Sequence, residues 1–153
     1  MRSYAVLTLP AALAVLLIAG SAARAAVPKA CDLLTAQTAA SLLGGPVGAP
    51  TDVQGMICSY STKTAIVSLS VVAQPALTVA DFSRAMQVSG QQTGIQQVLG
   101  LGDAGFFNPG GGDRNTVNVL YHHQAVSFSV QKKLTPQLKS QMIDQMKQWL
   151  AKF

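Results

Sequence analysis

Apolar and polar positions alternate most regularly in three stretches of the chain. Between 65 and 73, Ala65, Val67, Leu69, Val71 and Ala73 alternate with Ile66, Ser68, Ser70 and Val72. That period of two predicts a strand with one apolar and one mixed face. Val117, Val119 and Tyr121 alternate over 116–121, and Val126, Phe128 and Val130 over 125–131, which together predict a hairpin. Residues 56–60 also read as a strand, joined to 65–73 through Ser61, Thr62, Lys63 and Thr64. Near the C-terminus the period changes. Leu138, Met142, Met146, Trp149 and Phe153 recur every three or four residues, flanked by Ile143 and Leu150, behind Thr135 as cap and Pro136 in the first turn. This is the clearest amphipathic helix, with Trp149 placed to pack it onto the sheet.

Two further helices follow from capping signals. Asp32 or Thr35 can cap a helix over 36–43, which Gly44, Gly45 and Pro46 end; Leu34, Ala39, Leu42 and Leu43 form its apolar stripe. Pro75 stops the 65–73 strand, and Thr78 with Asp81 marks a second helix start. Val79, Phe82 and Met86 share a face of that helix, and Gly90 closes it. Residues 47–55 read as loop and 95–99 as a short strand. Gly100, Gly102 and Asp103 then predict a tight structural turn, because glycine enters conformations that other residues avoid. Phe106 and Phe107 follow as a short strand. Asn108, Pro109, Gly110, Gly111, Gly112, Asp113 and Arg114 predict an exposed, mobile loop. The expected fold is α+β: an antiparallel sheet of about five or six strands, two or three helices packed on it, and one disulfide.

The first residues have the pattern of a secretory leader. Arg2 is followed by an apolar run over 5–20, and Ala23-Arg24-Ala25 predicts cleavage after Ala25. The run is broken by Thr8 and Pro10 and is shorter than the roughly 20 residues a spanning helix needs. Residues 1–25 are therefore expected to be a signal peptide and 26–153 a single domain, periplasmic or secreted, with no membrane span after cleavage. A lipid anchor needs a cysteine at the cleavage site, and Cys31 lies several residues beyond it. The leader accounts for much of the mean hydropathy of +0.32. It also holds Arg2 and Arg24, so the formal net charge of +5 overstates the mature domain. The remaining cations are scattered along the sequence and lack interleaved aromatics, which argues against nucleic-acid binding.

Cys31 and Cys58 are the two cysteines. In an exported chain they are expected to pair. The bridge closes a loop of about 28 residues, worth roughly 3–4 kcal/mol if it acts by restricting the unfolded chain.

Three motifs carry a resemblance: Cys31-Asp32-Leu33-Leu34-Thr35 with Gly44-Gly45-Pro46, then Cys58-Ser59-Tyr60, then Gly100-Leu101-Gly102-Asp103-Ala104 before an aromatic strand. With the terminal hairpin and helix, they resemble a family of small exported bacterial proteins of unknown function, many of them actinobacterial lipoproteins. The chain is also distantly similar to extracellular sensor domains of some mycobacterial Ser/Thr kinases. The resemblance implies helices on an antiparallel sheet with a disulfide. It brings no catalytic residues.

Candidate chemistry is sparse. His122 and His123 are adjacent, so on a strand they point to opposite faces and cannot readily share a metal ion. No glutamate is present, and Asp32, Asp52, Asp81, Asp103, Asp113 and Asp144 read as cap, turn or surface residues. No Gly-x-Ser-x-Gly elbow is present. Gly110, Gly111 and Gly112 beside Arg114 lack the Gly-Lys-Ser/Thr ending of a phosphate loop. No cofactor and no metal are expected. The sequence favours an exported, non-enzymatic binding or interaction domain for a protein or small molecule of the cell envelope. The loop from Asn108 through Gly110, Gly111, Gly112 and Asp113 to Arg114 is its candidate contact. The alternatives are a periplasmic inhibitor or immunity-type factor, and a small periplasmic hydrolase in which Asp103, His123 and a serine converge.

Overall fold

The structure, a computed structural model, describes residues 27–153. The predicted leader and its cleavage site lie outside the described residues. The elements run α1 (Ala30–Leu33), α2 (Ala36–Leu43), β1 (Thr51–Val53), β2 (Ile57–Ser61), β3 (Ile66–Ala73), α3 (Val79–Thr93), β4 (Gln96–Gln97), β5 (Ala104–Pro109), β6 (Arg114–Tyr121), β7 (Gln124–Gln131) and α4 (Pro136–Leu150). The strands form one antiparallel sheet in the order β1-β2-β3-β7-β6-β5-β4. The fold is α+β, with seven strands and four helices among the described residues.

Strand alternation sends one set of side chains inward. Cys58, Tyr60, Val67, Leu69, Val71, Phe107, Val117, Val119, Val126, Phe128 and Val130 are all buried in one cluster with residues of α1, α2 and α4. Trp149 meets Phe128 edge-to-face at 4.8 Å between ring centroids, which seats α4 on β7. α1 and α2 lie on the same side, and the Cys31–Cys58 disulfide, with 5.0 Å between Cα atoms, ties α1 to β2. α3 crosses to the outer face. There Phe82 packs against Phe106, Ala104 and Leu120 in a smaller cluster, with the Phe82 and Phe106 rings edge-to-face at 5.9 Å. Among the described residues no helix is long and apolar enough to cross a membrane.

Helix starts follow the threonine caps. The Thr35, Thr78 and Thr135 hydroxyls accept from the N–H groups of Thr38, Asp81 and Leu138, so Thr35 rather than Asp32 caps α2. The Thr78 hydroxyl also donates to the Asp81 carboxylate at 2.6 Å, which orients the capping oxygen toward the Asp81 N–H.

Several sequence expectations are corrected. Gly90 does not close α3; the helix continues to Thr93, and Gly94 in the left-handed region (φ 71°) ends it. Val79 is not on the packed face and stays 46% exposed, whereas Phe82 is buried. The 47–55 loop contains β1, and the strand expected over 95–99 is confined to Gln96–Gln97. The loop expected from Asn108 to Arg114 is shorter. Asn108 and Pro109 belong to β5 and Arg114 to β6, leaving 110–113 as the turn.

Candidate functional site

The residues singled out for chemistry take structural places. Gly100 and Gly102 have left-handed backbones (φ 71° and 63°). A Cβ on Gly102 would collide with the Val119 side chain and the Leu120 carbonyl. Next to it, the Asp103 carboxylate accepts the His122 backbone N–H at 2.8 Å. That bond ties the β4–β5 turn to the β6–β7 turn. His122 and His123 form that second turn, both with positive φ (46° and 62°), the conformation of a two-residue hairpin loop usually taken by Asn-Gly. The His122 ring stacks on Tyr121 at 4.0 Å. Asp103 is thus directed at the backbone and not at an imidazole, unlike the arrangement a hydrolase requires. Among the described residues no group of three or more His, Cys or Asp side chains could hold a metal ion.

Asp81 caps α3 and pairs with Arg84 at 4.0 Å, and Asp144 pairs with Lys147 at 3.7 Å, both on exposed helix surface. Asp52 accepts the Gly55 N–H at 2.8 Å in the β1–β2 turn. The glycine turn at 110–113 is held by Asn115, a residue the sequence pattern does not reveal. Its side chain is 1% exposed and donates from Nδ2 to the carbonyls of Asp113 (3.1 Å) and Lys132 (2.7 Å).

What the structure assembles instead is a surface. α3 covers only the β5–β6 side of the outer sheet face, at Ala104, Phe106 and Leu120. Two rows of outward side chains run across the sheet beside that contact. The first runs Ser59, Ser68, Ser129, Thr116, Asn108 by direct register. It crosses β2, β3, β7, β6 and β5, roughly 19 Å at ordinary strand spacing. The second runs Ile57, Ser70, Ser127, Asn118, then passes under α3 at the buried Phe106 before reaching Gln97. None of these side chains carries a charge.

Within the rows, the Ser59 hydroxyl donates to Ser68 and the Ser127 hydroxyl to Asn118 Oδ1, each at 2.9 Å. These bonds fix the spacing of the face. At the end of the first row, Asn108 Oδ1 is buried without a protein hydrogen-bond partner. At the end of the second, Phe106 and Gln97 line a recess of about 460 Å³ with Gln87, Gly90 and Ile95. A second recess, about 380 Å³, lies between α2 and α4 and is lined largely by glutamines. Each row mixes short hydroxyl and amide groups at fixed strand spacing, a pattern invisible until strand order is known. No family model matches the chain, and comparisons with curated proteins and with solved structures found no match.

Proposed function

We propose that the protein is an exported, non-enzymatic binding domain that engages a neutral, hydroxyl- and amide-bearing polymer, a glycan of the cell envelope, across the outer face of its sheet. The observation that carries the reading is the pair of uncharged rows, Ser59–Ser68–Ser129–Thr116–Asn108 and Ile57–Ser70–Ser127–Asn118, which α3 leaves uncovered. An uncharged face suits an uncharged partner, because no ion has to be stripped of water without a counter-charge. Hydroxyl and amide groups both donate and accept, which matches the hydroxyl groups of a sugar. The unpartnered Asn108 acceptor favours a ligand that brings a donor. The disulfide is compatible with an extracellular location.

The test is retention of the leader-free protein on insoluble neutral polysaccharides, namely cellulose, chitin and starch, alongside Ser68→Arg and Ser129→Arg variants. These positions face each other across β3 and β7 on the outer face, so each substitution projects a charge from the middle of the first row. The expected result is retention of the wild type on at least one polymer and at least a tenfold loss in each variant, about 1.4 kcal/mol. Retention on none, or equal retention of the variants, overturns the reading. So does turnover of nitrophenyl esters or glycosides, which would assign an enzyme.

A further inference from the structure

Four of the nine lysines and arginines among residues 27–153 meet at one end of the sheet, although they are scattered along the sequence. Three connections meet there: the β2–β3 turn at 62–65, the β5–β6 turn at 110–113, and the β7–α4 connection at 132–135. Lys132 and Lys133 line a recess of about 270 Å³ there with Thr64, Gly112 and Asp113, and Lys63 and Arg114 are the chain neighbours of Thr64 and Asp113. Asp113 is the acid in these connections. The ion pairs among the described residues, Asp81–Arg84 and Asp144–Lys147, lie on helix surfaces elsewhere. Lys132 Nζ reaches the carbonyls of Leu42 and Leu43 at 3.4 and 3.5 Å, at the negative end of α2. Lys63, Arg114 and Lys133 are exposed and take no part in those pairs. Asp32, Asp52, Asp81 and Asp103 fall toward the opposite end, where Lys29 and Arg84 partly offset them, so the net positive charge is weighted toward the end that carries Lys63, Arg114, Lys132 and Lys133.

Two exposed aliphatic side chains share the basic end. Ile66, at the start of β3, is 45% exposed, and Leu134, directly after Lys133, is 37% exposed. A soluble polyanion would be recognised by the cations alone and leaves these two side chains unused. A bilayer with anionic headgroups uses both: the cations stay at phosphate depth while the aliphatic groups enter the headgroup–acyl boundary. Short connections carry Lys63, Lys132, Lys133 and Leu134, and Ile66 and Arg114 are the first residues of β3 and β6, so the end can approach a flat surface without unfolding an element.

We propose that this end docks peripherally on an anionic phospholipid surface, with Lys63, Arg114 and Lys133 at the lipid phosphates and Leu134 at the headgroup boundary. The contact borders the uncharged rows, since Ile66 and Arg114 precede Ser68 and Thr116 by two strand positions, but does not depend on them.

The test is co-pelleting of the leader-free protein, which retains the whole described fold, with vesicles of phosphatidylcholine alone or mixed with phosphatidylglycerol. The expected result is binding to the mixed vesicles only, weakening as salt is raised. Each basic residue near such a surface contributes a factor of roughly five, so K63A/R114A/K133A should lose about a hundredfold in partitioning. Leu134→Ser should weaken binding while leaving its salt dependence in place. A control triple, R84A/K147A/K152A, removes the same charge elsewhere and should bind nearly as wild type, with circular dichroism confirming the fold of each variant. Absence of binding to the mixed vesicles overturns the proposal. Equal losses in the two triples overturn it in favour of a diffuse net-charge effect. Binding to inorganic polyphosphate without binding to vesicles overturns it in favour of a soluble anion.

Discussion

Asn115 shows how one side chain can hold the basic end together. Its amide is buried and bridges the Asp113 and Lys132 carbonyls, so two connections far apart in sequence are fixed to each other. Replacing it with alanine removes both bonds and leaves the Lys132 carbonyl without this donor, while the Asp113 carbonyl keeps the Lys132 backbone N–H at 2.8 Å. The expected cost is about 2–3 kcal/mol, read as a lower urea midpoint at unchanged slope. An unchanged midpoint would mean that the turn is held by its own backbone. Gly102 and the His122–His123 turn make the same point at the other end. A chain segment that no side chain may enter, and two non-glycine residues at positive φ, are kept in place by the Asp103 carboxylate. Asp103 and Gly102 are readable in the sequence as a turn. Asn115 is not, because asparagine at a strand start looks like any polar residue until the neighbouring connection is in place.

At the level of elements, the disulfide joins a four-residue helix to the sheet. α1 is too short to be stable as a helix in isolation. It is held by the Cys31–Cys58 bridge, by burial of Ala30 and Leu33, and by the Ala30 N–H donating to the Gly55 carbonyl at 2.7 Å. Loss of the bridge by reductant or by C31S/C58S is expected to lower unfolding free energy by roughly 3–4 kcal/mol. Equal denaturation curves with and without reductant would contradict this. The same shortness explains what sequence reading finds and misses. β3, β6, β7 and α4 each span enough residues to display their period. α1, β1 and β4, with two to four residues each, cannot display one. Gly90 looks like a helix end, yet the α3 backbone continues past it because Gly94 supplies the left-handed cap four residues later. Ser68 and Ser70 are legible in the sequence as polar positions of a strand, whereas Asn108 reads as loop. The alignment of the outward rows is not legible, since it depends on β3 pairing with β7, a contact between residues distant in sequence.

For the whole molecule, the architecture separates three surfaces. The inner sheet face is closed by α1, α2 and α4, the outer face is only partly covered by α3, and one end of the strands is basic. If the basic end rests on an anionic bilayer, the strands stand away from it and the uncharged rows face sideways, accessible to a polymer lying in the envelope. The central claim is that the uncharged outer face is the binding surface. The most direct test is a nitrogen–proton correlation spectrum of the labelled protein without residues 1–25, titrated with soluble cello-, chito- and malto-oligosaccharides. The account predicts that at least one of them shifts the amides of Ser59, Ser68, Ser129, Thr116 and Asn108 together, with smaller changes at Asn118 and Gln97. Shifts confined to the groove between α2 and α4, or none with any of the three, would contradict it.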